Sequence, residues 1–514
     1  MQVPYEYQYQ LAVADYWEGR PTMEMEPNVW VPALPLQMTV AAPASNTDLV
    51  VSSSSEQQEL KLVEEKTTEY QHEWNNPIEE FEKAARAFED DLQKMETKMH
   101  LFPPSMEDLS KHSKPKVVSI GPYHHGSSEA IRQMESTKYA AACHFIKESR
   151  CSVEEVYGAV FAVAGQARSY YDADKLRELG VGDDDFKPMM FYDGCFLLQY
   201  MLFLCRENGD EEKPTAEVDQ SLYNVFSSID RRIFSDIVLL ENQLPWVVVE
   251  KLKDFMPPPG LDMETVLGRV KHSLQARRHL KFDAPKLDDS YVPPHLLGYL
   301  RFYIVGSTDD TSRTPVPEIT LSEKVKKLSM SVSVIELAEM GIKLRADDAT
   351  AELKKMRITK GWFTGKLFLP PVSLDDANAR FLVNMAALEL CVTPDFRAVD
   401  VDDTCSTVCS YLSLLGMVTD NDDDVQELRK KLILQGGGGL TNEDALELFT
   451  GLEKYLRPGN HYDNIIIEIE NYRSHRRLWI KVYRFCYRNR TAIIATVSAI
   501  AGLAAFLETL KSFR

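Results

Sequence analysis

Asp236–Lys253 reads DIVLLENQLPWVVVEKLK, the longest dense apolar run ahead of the C-terminus. Ile237, Leu240, Leu244, Val248 and Leu252 recur at helical spacing, so one face stays apolar along the run. Pro245 has no N–H and its ring collides with the preceding turn, which predicts two helical pieces meeting at an angle. Glu241, Asn242 and Gln243 fall at that junction, where freed backbone groups need partners. The stretch reads as a buried, interrupted helix around which a larger helical body is organised.

Composition bounds that body. A chain of 514 residues exceeds one ordinary core, and about two to four packed units are expected. A formal net charge of -20 argues against nucleic acid, whose phosphates call for a basic surface. The eight cysteines are thinly spread, unlike a disulfide scaffold. The N-terminal MQVPYEYQYQLAVADYWEG lacks a basic stretch followed by an apolar one, so no secretory signal is expected. These features place the body in the reducing cytosol.

Residues 1–75 lack periodicity and carry Pro-rich and Ser-rich runs, which predicts a disordered extension. Ile78, Phe81, Ala85, Phe88, Leu92, Met95 and Met99 then alternate at three and four, as in a seam helix capped by Asn76 with Pro77 at its first position. Packing on its own domain is the expectation, with oligomerisation through Ile78–Met99 as the alternative. Val117–Gly126 reads as an extended piece closing in a Gly/Pro turn, Gly121-Pro122-Tyr123-His124-His125-Gly126. The adjacent histidines complete no recognised zinc spacing, and turn chemistry is the expectation, with no metal and no cofactor. Asp193-Gly194-Cys195 opens a buried helix in this reading, placing Cys195 near a helix N-terminus, where a thiol can be activated. No motif supplies a paired histidine, so no catalytic residue is assigned. An enzyme with a pocket near Gly121–Gly126 and Cys195 stays as the alternative.

Residues 205–220 and 254–318 read as loops and linkers, with a possible subdivision near 305–320. Ser331–Met340 is a predicted helix stopped by Gly341, and 357–372 a small hairpin. Helices return after Ser373-x-x-Asp376 and Thr441-x-x-Asp444, both read as capping signatures. Asp463–Arg490 reads as one long helix, with Ile465, Ile469, Tyr472, Trp479, Val482 and Cys486 on one side. Its basic flank includes Arg476, Arg477, Lys481, Arg484, Arg488 and Arg490. Thr491–Leu507 follows without a charge, and is read as a single-pass tail anchor in a plasma or internal membrane.

The run SIGPYHHG, the DGCFLL block and the LLENQLPW block strongly resemble the plant domain of unknown function 247 family (DUF247, UPF0481), with looser collinear matches later in the chain. The resemblance covers about residues 75–512. It points to Gly121–Gly126, Asp193–Cys195, Glu241–Gln243 and Pro245 as family positions, and transfers no catalytic residue. It implies a largely helical, C-terminally anchored protein. Some grass members are implicated as pollen-side determinants of self-incompatibility, which implies recognition of a small stigma-derived protein or peptide. The expectation is thus a mainly α fold: a multi-helix globular body with a small β-hairpin and a C-terminal membrane-anchor helix, serving recognition and not catalysis.

Overall fold

The computed structural model describes residues 77–86, 89, 94–206, 220–275, 287–288, 291–306, 332–347, 352–398, 401–436 and 439–512. The extension 1–75 and the suggested boundary near 305–320 lie outside the described residues, except for the end of a helix at Val305 and Gly306. Two units divide at Gln93. In the first, residues 77–86 are helical, with Ile78 and Phe81 exposed.

The second unit begins at Lys94, and the expected seam helix does not extend through it. Residues 94–97 form a turn, and Met99 is buried without regular structure. Its N–H donates to Tyr170 O at 2.7 Å, and Tyr123 Oη donates to its carbonyl. Tertiary bonds at Met99 thus override the heptad spacing.

The body is mainly helical. Helix α1 (Glu129–Ser149) is capped by Ser128, and α2 (Val153–Arg168) by a capping box of Ser152 and Glu155. Helix α3 (Asp183–Arg206) is apolar nearly all round and packs on α1 and α2. Helix α4 (Gln220–Ile237), α5 (Trp246–Lys253) and α6 (Met263–Gln275) complete its surroundings. Helix α3 starts at Asp183, so Cys195 sits in mid-helix and not near an N-terminus as expected. Three aspartates in the first turn, Asp183, Asp184 and Asp185, set that earlier start by favouring the positive end of the helix dipole.

The decisive stretch holds two helical pieces, with a non-helical link from Val238 to Pro245 in place of a sharp kink. Gln243 Nε2 donates to the carbonyls of Ile237 and Leu239 at 2.7 Å each, and Asn242 Nδ2 to that of Asp236 at 3.0 Å. The amides therefore replace the helical bonds that the link lacks.

The reading of 254–318 as loop is corrected: α6 and α7 (Leu296–Val305) lie within it. Met263, Val266, Leu267, Val270 and Leu274 follow a helical period and are buried, although prolines precede them. Helix α8 (Val334–Glu339) ends near Gly341, whose φ of +85° suits glycine. Strand β1 (Ile342–Ala346) pairs parallel with β3 (Gly365–Leu369), which pairs antiparallel with β2 (Arg357–Lys360) in the expected hairpin. Strand β4 (Val372–Ser373) pairs parallel with β5 (Leu434–Gln435).

Helix α9 (Asp376–Val392) is a second buried hub, touching α4, α7 and α10 (Thr407–Val418). Its cap is Asp375, which accepts from Asn378 N–H, and not Ser373. Helix α11 (Asp422–Lys430) and α12 (Asn442–Glu453) follow, the latter with the expected Thr441–Asp444 box. The expected single helix to Arg490 is divided into α13 (Asn460–His475) and α14 (Arg477–Arg488), before α15 (Arg490–Ser512). Arg476 leaves helical geometry at φ -124°, ψ 24°, and its guanidinium reaches the carbonyls of Gly361 and Trp362.

Candidate functional site

Residues from the three sequence blocks near Gly121, Asp193 and Asn242 converge on one buried frame. The extended piece 116–121 has few neighbours in its own backbone, so its N–H groups need side-chain acceptors. Asp236 accepts from Lys116, Val117 and Val118, at 2.6–3.0 Å. Asn242 Oδ1 accepts from Ile120 at 2.7 Å, and its Nδ2 donates to Val118 O. Asp193 Oδ2 accepts from Gly121 at 2.8 Å.

Arg380 and Asn384 on α9 close the frame from behind. Arg380 donates to Asp236, Ser235 and the Lys114 carbonyl. Asn384 donates to His112 O at 2.9 Å and accepts from Leu240 N–H at 2.8 Å. Sequence reading singled out neither, although Asn384 falls in one of the looser family matches. Their place in a helix otherwise filled by apolar residues such as Phe381, Val383 and Met385 was the available signal, since buried polar groups need partners.

Gly121 has φ +75°, and an added Cβ would stand 2.7 Å from Gln243 O and from Tyr171 Oη. Gly194 lets α3 approach α5, where an added Cβ would meet Leu252 Cδ1 at 2.4 Å. Pro245 is the N-cap of α5. Lys138 is sealed in the core, its Nζ 2.7 Å from Asp193 Oδ1 and 2.8 Å from Glu135 Oε1. Burial lowers the pKa of that ammonium, but the two carboxylates outweigh it and hold the pKa above its ordinary value.

The residues of the enzyme alternative diverge. His124 Nε2 lies 2.8 Å from Glu241 Oε2, whose other oxygen accepts from Phe102 N–H. His125 turns toward Glu135, at 3.9 Å. Cys195 is fully buried in the apolar core, and burial pushes its thiol well above the usual range. Such enclosure suits a packing group and withholds the exposure and positive surroundings that activate a thiol. Among the described residues no group of three or more His, Cys, Asp or Glu is placed to hold a metal ion.

A second region lies at the C-terminal end. Among the described residues two helices are long and apolar enough to cross a membrane, Asp183–Cys205 and Arg490–Thr509. The first is 89% buried and the second 0%. Ile494, Val497, Ile500, Leu503 and Phe506 of α15 all face solvent. The stripe expected along 463–490 is buried only in its first half, at Ile465, Ile469 and Tyr472; Trp479, Val482 and Cys486 are exposed. Of the basic flank, Arg476 binds hairpin carbonyls, while Arg484 and Arg488 reach Glu339 at 3.4 and 2.7 Å. Arg490 lies over the Tyr487 ring, and Arg477 and Lys481 are exposed.

The DUF247 family, described as plant protein of unknown function, matches residues 99–505. The chain belongs to this family. The DUF247 match takes in the whole buried frame and most of α15. A UPF0481 protein of Arabidopsis thaliana is 27% identical over 361 residues, 67% of this chain and 69% of its own length. No solved structure matches the chain. In this DUF247 chain the blocks near Gly121, Asp193 and Glu241 hold one another, and the arrangement fastens an extended segment to three helices.

Proposed function

We propose that this chain is a membrane-associated, non-enzymatic interaction protein held by Arg490–Thr509. The observation that carries the proposal is the contrast between the two long apolar helices, one enclosed by the body and the other bare. Twenty helical residues rise about 30 Å, the thickness of a bilayer core. Leaving Ile493, Ile494, Val497, Ile500, Leu503, Phe506 and Leu507 in water forgoes about 1.5–3 kcal/mol for each side chain, which lipid would supply. The basic residues before the span favour a cytosolic body.

The family resemblance supports the sharper form of the reading: a pollen-side self-incompatibility determinant that engages a small stigma-derived protein or peptide. A second mode of association, through the helix at 77–86, is favoured by the exposure of Ile78 and Phe81. Carbonate extraction tests the anchor: the full chain stays with membranes, and a chain ending at Arg490 is released. Equal pelleting of the two would refute it. Protease protection then reports which side the body occupies, and pull-down from pollen membranes tests for the partner.

A further inference from the structure

We infer that the turn Gly361–Phe363 and helix α14 form a second membrane contact, which dips into the headgroup layer of an anionic bilayer beside the span. The inference rests on the anchoring proposed above and adds to it a named, separate surface. Trp362 is 89% exposed and Phe363 60%, at the tip of the β2–β3 hairpin. The tip is held in place: Trp479 Nε1 donates to Phe363 O at 2.8 Å, their rings lie 5.5 Å apart, and Arg476 grips the carbonyls of Gly361 and Trp362. Two large apolar side chains fixed in water by polar bonds behind them call for a partner in front.

Helix α14 continues the same surface. At about 100° per residue, Leu478, Trp479, Val482 and Phe485 share one sector, and all are exposed. Ile480 lies on the opposite side and is the buried residue that faces the body. Arg477 and Lys481 lie between the two, also exposed. A helix that turns Ile480 and part-buried Tyr483 to the body and four apolar residues outward, with cations along the border, matches an in-plane interfacial helix.

Three observations select lipid as the occupant. The surface runs directly into α15 through Asn489. It pairs tryptophan with arginine and lysine, the residues that sit at headgroup level. It is also a cationic patch on a chain of net charge -20, which an anionic surface would otherwise repel.

The test uses the full chain reconstituted into vesicles of phosphatidylcholine, with or without phosphatidylserine, carrying bromine high on the acyl chains to quench nearby tryptophan. Trp246 is buried and serves as an internal reference. Quenching is expected, stronger with phosphatidylserine, and most of the part lost in a Trp362→Phe, Trp479→Phe variant should trace to Trp362 in the single variants. Carbonate resistance is measured on the same samples and reports the span alone. Resistant chains whose Trp362 emission is unquenched overturn this inference and leave the anchor standing; released chains that are still quenched do the reverse. Shielding of Trp362 that rises with protein concentration in detergent, without vesicles, would assign the surface to a second copy and also overturn it.

Discussion

Asp236 Oδ1 lies 3.2 Å from the Arg380 guanidinium, with both side chains sealed from solvent. The pair is unequal, because the carboxylate also accepts from three backbone N–H groups while Arg380 Nε is buried without a partner. Asp236→Ala orphans those donors and leaves a buried cation, so it is expected to cost about 3–5 kcal/mol. Arg380→Met leaves the carboxylate bonded to the backbone and is expected to cost about 1–3 kcal/mol. Urea unfolding followed by circular dichroism in detergent measures both; equal losses would contradict the asymmetry.

The two glycines that bound the Gly121–Gly126 turn separate conformation from packing. Both have positive φ, but an alanine at 121 would press on Gln243 O and Tyr171 Oη, and one at 126 would meet nothing within 4 Å. Gly126→Ala is expected to cost about 1 kcal/mol, and Gly121→Ala more than about 3 kcal/mol or the fold itself. Thermal melts of the two variants decide the point.

His295 makes the fold sensitive to acid. Its Nδ1 accepts from Gly298 N–H as the cap of α7, which requires an unprotonated nitrogen, and burial lowers its pKa to about 3. The unfolded chain takes up that proton near pH 6.5, so between about pH 6.5 and 3 it binds more protons than the folded one. Stability present above pH 6.5 is therefore lost as pH falls, by up to about 1.4 kcal/mol per pH unit from this group. His295→Asn keeps a capping oxygen and is expected to flatten that slope in denaturation midpoints taken at pH 7 and pH 5.

Thiol chemistry gives an independent map of the body. Cys143 and Cys486 are exposed, while Cys195 and Cys409 are buried with their thiols pushed well above the usual range. Maleimide is expected to label the first two in the native protein and the second two only after denaturation. Rapid native labelling of Cys195, read by peptide mass mapping, would revive the catalytic alternative.

Much of the helical body is legible in the sequence, because apolar spacing carries it. The interruption at Pro245, the role of Asn242 and Gln243 at freed carbonyls, the 357–372 hairpin and the Thr441 cap all follow from local chemistry. Two of the failures share a cause. Met99 leaves its heptad for a bond to Tyr170, and Arg476 leaves its helix for the hairpin carbonyls, so distant partners decide those two outcomes. The frame around Gly121 was visible as a motif but not as a structure, since Arg380 and Asn384 reach it from more than a hundred residues away. The exposed sector of α14 was hidden for the same reason: its apolar stripe looks like core until Ile480 is seen to take the inner side.

Glu339 holds Arg484 and Arg488 near one end of α14, and the hairpin carbonyls hold Arg476 near the other. A protein tied to lipid by a slack cord tumbles and shows every side to its surroundings. With the last helix before the tail buckled at both ends, the anchoring proposed above would set the body on the bilayer in one attitude. Neighbouring copies would then stand upright in the same pose, and a visiting partner would search for its footing in two dimensions.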